Sequence, residues 1–147
     1  MRIFPASQRR RWAFCDSGAY LALLDRRDEH HAVAVDILTR LADGHYRAFT
    51  TNAVVYEAYS LILSAMGRDQ AFDFLIDLKA SQTVIVRVRG EDERRAEEIL
   101  RTYDDKDFSL VDALSFAVIE RLRIPVVFAF DRHFTQYGLT VLTPEQF

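Results

Sequence analysis

The chain has 147 residues, the ordinary length of one folding domain, and 50% of them are hydrophobic against 28% charged, which excludes a disordered chain. Its 19 basic and 22 acidic side chains leave a formal net charge of −3, which excludes a histone-like protein that binds nucleic acid by bulk charge, so any such contact has to be local. A single cysteine, Cys15, excludes an internal disulfide framework and a cysteine-built zinc or iron–sulfur site, and fits a reducing compartment.

Residues 1–11 carry Arg2, Arg9, Arg10 and Arg11 without an acid and read as a basic N-terminal arm ahead of one domain over 12–147. No apolar run after them is long enough for the core of a signal peptide, and no stretch of about 18 apolar residues lacks a charge, so the expectation is a cytoplasmic protein. The first strand is Trp12-Ala13-Phe14-Cys15, ended by Asp16-Ser17-Gly18, with a helix from Ala19 to Leu24. A second helix over 29–43 has Ala32, Val35, Leu38, Leu41 and Ala42 at helical spacing and closes at Gly44. Strand Tyr46 to Thr50 runs through Thr51-Asn52 into a helix whose apolar residues are Val54, Val55, Ala58, Leu61, Ile62 and Ala65, ended by Gly67. Another helix holds Ala71, Phe72, Leu75, Ile76 and Leu78, and Thr83 to Val88, rich in β-branched residues, is a third strand.

Glu91 to Tyr103 is a charge-laced amphipathic helix, and Ser109 to Arg123 another, stopped by Pro125. Val126 to Phe130 is apolar throughout, as in a strand covered on both faces, and ends in Asp131; Leu139 to Leu142 is the last strand. Strands alternating with helices give an α/β fold with a mostly parallel, roughly five-stranded sheet, because right-handed crossovers place helices on both faces.

In such a fold ligands collect beyond the carboxyl ends of the strands, where strand order reverses. Asp16 and Asp131 each follow a strand and so aim carboxylates at that crevice, an arrangement that invites a divalent metal; each also reads as an N-cap. Glu57 sits in the second turn of its helix, past the capping positions and beside an apolar stripe, pointing either inward or to a solvated rim. Asp112 follows Ser109 by three residues, as in a capping box, yet Asp104, Asp105 and Asp107 crowd the same helix start with charge that a bound cation would offset.

In this order the motifs resemble those of the PIN-domain ribonucleases, and more narrowly the VapC-like toxin type of bacterial and archaeal toxin–antitoxin pairs. The resemblance rests on Asp16-Ser17 after the first strand, Glu57 in the helix after Thr50-Thr51-Asn52, and Ser109-Leu110-Val111-Asp112 opening a later helix. It rests also on Asp105-Lys106-Asp107-Phe108 before that serine and on Phe130-Asp131-Arg132-His133-Phe134 after the fourth strand. It runs from about Trp12 to the C-terminus; the arm ahead of it departs from the family pattern.

The resemblance implies a three-layer α/β/α PIN-like fold and a metal-dependent endoribonuclease whose acidic quartet maps onto Asp16, Glu57, Asp112 and Asp131. Magnesium, or manganese in its place, prefers oxygen ligands and is usually held by one or two carboxylates plus substrate phosphate. Asp16 and Asp112 are the expected direct metal ligands, with Glu57 and Asp131 completing the cluster or orienting the attacking water. Without metal, four packed carboxylates repel and take up protons at raised pKa, so activity is expected to fall at acid pH.

A cognate antitoxin and a homodimer through the helices at 52–66 and 68–80 are the expected protein partners, and RNA the substrate. Arg9, Arg10, Arg11 and Arg132 are candidate RNA contacts. Adjacent His30 and His31 read as solvated surface residues, His133 as structural, and Arg94, Arg95 and Arg101 as partners of glutamates on their own helix. A non-catalytic RNA-binding or scaffold protein of the same fold and a housekeeping RNA-maturation nuclease are the alternatives, and retention of all four acids speaks against the first.

Overall fold

The structure, a computed structural model, describes residues 11–147. In chain order the elements are β1 (Trp12–Cys15), α1 (Ser17–Leu24), α2 (His31–Asp43), β2 (Arg47–Thr51), α3 (Asn52–Met66), α4 (Arg68–Ala80) and β3 (Val84–Val86). They continue as α5 (Gly90–Thr102), α6 (Leu110–Leu122), β4 (Val126–Phe128), α7 (Arg132–Gln136) and β5 (Thr140–Val141), before a closing 3₁₀ turn at Pro144–Gln146.

The five strands form one sheet in the order β3-β2-β1-β4-β5, and every pairing is parallel. The chain builds β1, β2 and β3 outward in one direction and then returns to lay β4 on the other flank of β1. Strand order therefore reverses between β1 and β4, and the crevice opens above their carboxyl ends.

The alternation of β1 divides the core. Trp12 and Phe14 face α5 and α6, packing with Phe49, Ile99, Phe116 and Phe134, while Ala13 and Cys15 face α1 and α2 with Ile37, Leu41 and Phe128. Helices thus cover both faces. The α3–α4 hairpin, turned at Gly67 with φ +96°, makes a third cluster from Val55, Ala58, Ile62, Phe74 and Leu78. Asp92 of α5 is buried and accepts two 2.9 Å hydrogen bonds from the Arg121 guanidinium of α6, which joins those two helices.

Several sequence boundaries shift. β3 is shorter than Thr83 to Val88 because the Val88 N–H donates to the Asn52 side chain instead of to a neighbouring strand. β4 ends at Phe128, so Ala129 and Phe130 are the lead-in to Asp131. On α2 the buried stripe is Ala34, Ile37 and Leu41, whereas Val35 and Leu38 are exposed, and Ala34 joins Ala19 and Ala22 of α1 in one core cluster. Arg95 reaches across to Glu120 of α6 as well as along its own helix to Glu98. No helix among the described residues is long and apolar enough to cross a membrane.

Candidate functional site

Asp16 occupies the N-cap position of α1 with extended backbone, yet its side chain makes no capping hydrogen bond. Its backbone N–H donates to the Phe128 carbonyl at 3.1 Å, which ties the end of β1 to the end of β4 and sets the carboxylate in the crevice between them. The residue is 4% exposed, and its Oδ1 is buried with no hydrogen-bond partner. A capping role would have used that oxygen, so capping does not account for Asp16.

The run Thr50-Thr51-Asn52 anchors the next element with three separate bonds. Thr50 Oγ1 donates to the Cys15 carbonyl at 2.8 Å, Thr51 Oγ1 accepts from the Val54 N–H to cap α3, and Asn52 Oδ1 accepts from the Val88 N–H at the end of β3. With its start clamped to β1, β2 and β3, α3 carries Glu57 toward the acidic crevice. There Ser17 Oγ–H donates to Glu57 Oε1. Glu57 thus points to the crevice rather than to solvent at a helix rim.

Asp112 is 6% exposed and completes the capping box of α6: Ser109 Oγ accepts the Asp112 N–H, and Asp112 Oδ2 accepts the Ser109 N–H, both at 3.0 Å. The same Oδ2 lies 2.7 Å from His133 Nδ1. Asp131 caps α7 by accepting the His133 N–H at 2.9 Å, and its Oδ1 is 3.2 Å from that same Nδ1. Ligand atoms of Asp112, Asp131 and His133 all lie within 4.8 Å of one another. Both neighbours of Nδ1 are carboxylate oxygens, which only accept while ionised, so Nδ1 carries the hydrogen and orients the two acids rather than serving as a ligand itself.

The four acids meet electrostatically at Asp16. Burial pushes its carboxyl from the usual 3.8 up to about 7, the Ser17 amide opposes the rise, and the charges of Glu57, Asp112 and Asp131 add to it. A buried, partnerless carboxylate oxygen within the field of three more carboxylates is chemically matched to a hard divalent cation, which would supply the missing positive charge. Among the described residues the group close enough to share an ion is Asp112, Asp131 and His133, which Asp16 joins through charge and not through a shared set of ligand distances.

Arg132 is exposed beside Asp131, and Arg11 is exposed at the start of the described residues; Arg9 and Arg10 lie outside them. His30 and His31 depart from the expected solvated pair. His30 stacks on Phe130 with ring centroids 4.5 Å apart, and His31 Nδ1 bonds the Ala22 carbonyl at 2.7 Å, so both are partly covered packing residues. Sequence reasoning missed the involvement of His133 in the site and the Ser17–Glu57 bond. The spacing of His133, two residues beyond Asp131, was the available signal for the first.

A family profile described as the PIN domain matches residues 13–139. The chain belongs to the PIN-domain family. Among curated PIN-type relatives it is 28% identical over 132 residues to a 23S rRNA-specific endonuclease, VapC20 of Mycobacterium tuberculosis, spanning 90% of this chain and 98% of that one. A VapC ribonuclease of Archaeoglobus fulgidus is also 28% identical, over 127 residues, spanning 84% of this chain and 79% of that protein. The crystal structure of VapC20, described as a sarcin–ricin loop cleaving toxin, superposes with a TM-score of 0.81 over 90% of this chain and 99% of the other. A toxin–antitoxin complex from Klebsiella pneumoniae shares the fold, with a TM-score of 0.65 at 14% identity over 90% of this chain and 97% of that chain.

The raised Asp16 pKa links this PIN-domain site to stability. In the unfolded chain Asp16 ionises near 3.8, whereas the folded, metal-free protein holds the proton to about 7. The native state therefore binds more protons between those values, and its stability falls as pH rises through that window. In the presence of a chelator, Asp16→Asn is expected to melt several degrees above the parent at about pH 7.5, with the gap closing toward about pH 4. Thermal melts across pH read this directly; parallel curves for the two proteins would contradict it.

Proposed function

We propose that the protein is an endoribonuclease dependent on a divalent cation, Mg²⁺ or Mn²⁺, and that it is the toxin of a toxin–antitoxin pair. The observation that carries this reading is the buried, unpartnered Oδ1 of Asp16 within the field of Glu57, Asp112 and Asp131. The likeness to VapC20 supports RNA as substrate, because it spans nearly the whole of both chains.

Asp16 and Asp112 would hold the cation, with Glu57 and Asp131 completing the acidic quartet. Such an ion, when bound, supplies a Lewis acid for a phosphate oxygen and lowers the pKa of water. The protein's own part is orientation. Ser17 holds Glu57 by donating to it, so the remaining carboxylate oxygen is free to position and deprotonate a water. His133 Nδ1–H holds Asp112 and Asp131 together, and the Ser109 N–H fixes Asp112 from the other side. Burial of Asp16 and Asp112 excludes competing water, while exposed Asp131 and Arg132 form the edge that a polynucleotide reaches, Arg132 contributing a backbone contact. Arg9, Arg10 and Arg11 of the 1–11 arm would extend that contact beyond the domain.

A homodimer would form through α3 and α4, where Leu61, Leu63, Phe72 and Ile76 are each between 38% and 52% exposed, and a small antitoxin is the expected inhibitor. The toxin–antitoxin complex of the same fold supports an antitoxin partner for this chain. Light scattering of the protein alone is expected to give the mass of two chains; a monomer at tens of micromolar would contradict the dimer.

Cleavage of a mixed RNA pool tests the central reading. The parent is expected to cleave with Mg²⁺ or Mn²⁺ and to stop with a chelator, and Asp16→Asn to lose about 100-fold or more while remaining folded. Cleavage indifferent to chelator and to the substitution would overturn metal dependence. Binding of RNA without any cleavage by the parent would instead favour a non-catalytic RNA-binding protein.

A further inference from the structure

A second concavity lies between the first half of α3, the helix that carries Glu57, the last turns of α4 and the edge strand β3. It has a volume of about 560 Å³, within the usual range for a small-ligand site, and Tyr56, Tyr59, Ile85, Asn52, Lys79 and Arg87 are among its lining residues. Tyr56 is 63% exposed and presents its ring to the groove. The lining contains two cations and no carboxylate, although the whole chain carries a net charge of −3. Lys79 and Arg87 are both exposed, and neither enters an ion pair with another described residue. Arg27, Arg40, Arg89 and Arg95 by contrast are all paired with acids.

Tyr56 lines this groove while the next residue, Glu57, faces the acidic crevice, since consecutive helical residues project about 100° apart. The two sites thus share one helix. Asn52 spends its Oδ1 on the Val88 N–H, which leaves its NH₂ as a donor on the groove wall.

We propose that this groove is a nucleotide subsite for the single-stranded RNA substrate, in which an unstacked base lies against Tyr56 and Tyr59 while Lys79 and Arg87 hold its flanking phosphates. The proposal rests on the endoribonuclease reading and says where the substrate is held beside the acids that cut it. Four carboxylates repel a polyanion, so cations next to the crevice are needed to bring the phosphate chain in, and aromatic faces accept any base by stacking. The groove reaches the far ends of α3 and α4 from the Gly67 turn, and its Leu75 and Lys79 adjoin Phe72 and Ile76 of the proposed dimer face one helical turn away.

The test measures binding of a fluorescent, unstructured RNA oligonucleotide to the full chain in chelator, alongside cleavage of the same RNA with Mg²⁺. Lys79→Ala with Arg87→Ala is expected to weaken binding and to lower the slope of log affinity against log salt by about 1.4, since each phosphate contact on a single strand contributes about 0.7. Tyr56→Ala is expected to weaken binding at least about 5-fold with the slope unchanged. The pair Arg94→Ala and Arg101→Ala, which removes two exposed charges from α5, controls for bulk charge and is expected to leave the affinity close to that of the parent. If the parent cleaves RNA and the groove variants bind it as the parent does, the subsite is wrong and the nuclease reading stands. If those variants keep RNA affinity but lose a co-purifying protein or shift the oligomeric state, the groove is a protein-docking surface and the proposal is overturned. A parent that neither binds nor cleaves RNA overturns both.

Discussion

The arrangement of this protein follows from the cost of keeping one carboxylate oxygen out of water without a hydrogen-bond donor. Asp16 Oδ1 is such an atom, and leaving a buried polar group unpaired costs about 1–3 kcal/mol, more when it is charged. The fold accepts that cost because of where the sheet reverses. β1 is central, β4 is laid on it last, and the hydrogen bond from the Asp16 amide to the Phe128 carbonyl holds the side chain over their joint end.

The other three acids are restrained by donors that leave their remaining oxygens available. Ser17 takes one oxygen of Glu57, and the Ser109 amide and His133 take Oδ2 of Asp112. Asp131 gives Oδ1 to the amide and the ring of His133. This is an asymmetric cluster, with Asp16 Oδ1 unpartnered and the three companion acids braced. Such a set is poised for a cation and is unfavourable without one, which is why burial and like charge together raise Asp16 to about 7. The raised pKa of Asp16 and the stability lost as pH rises are two expressions of the same desolvation.

Much of this was legible in the sequence because apolar strands ending in Asp, followed by helical periodicity, specify both topology and the side on which carboxylates emerge. Asp16 and Asp131 could be placed from that pattern alone, but the pattern could not separate a cap from a site. The structure divides them: Asp131 caps α7 and also faces the cluster, whereas Asp16 caps nothing. Asp112 serves as capping-box residue and cluster member at once, so the two readings of Ser109-x-x-Asp112 were never exclusive. What stayed hidden depended on distant side chains. The Ser17–Glu57 contact spans 40 positions, the bond from Asn52 that cuts β3 short spans 36, and the reach of Arg95 to Glu120 spans 25. The α2 stripe was misread because Val35 and Leu38 have the right spacing for burial, while the buried face is the one on which Ala34 joins Ala19 and Ala22 of α1.

A crystal of the metal-free protein soaked in Mn²⁺ and measured at the manganese absorption edge locates the ion without any assumption about catalysis. The account predicts an anomalous peak bonded to a carboxylate oxygen of Asp16 and to Asp112, with His133 Nδ1 still donating to the acids. A peak held by Asp131 and His133 with Asp16 untouched would contradict it. So would an empty site in which Asp16 Oδ1 is satisfied by an ordered water.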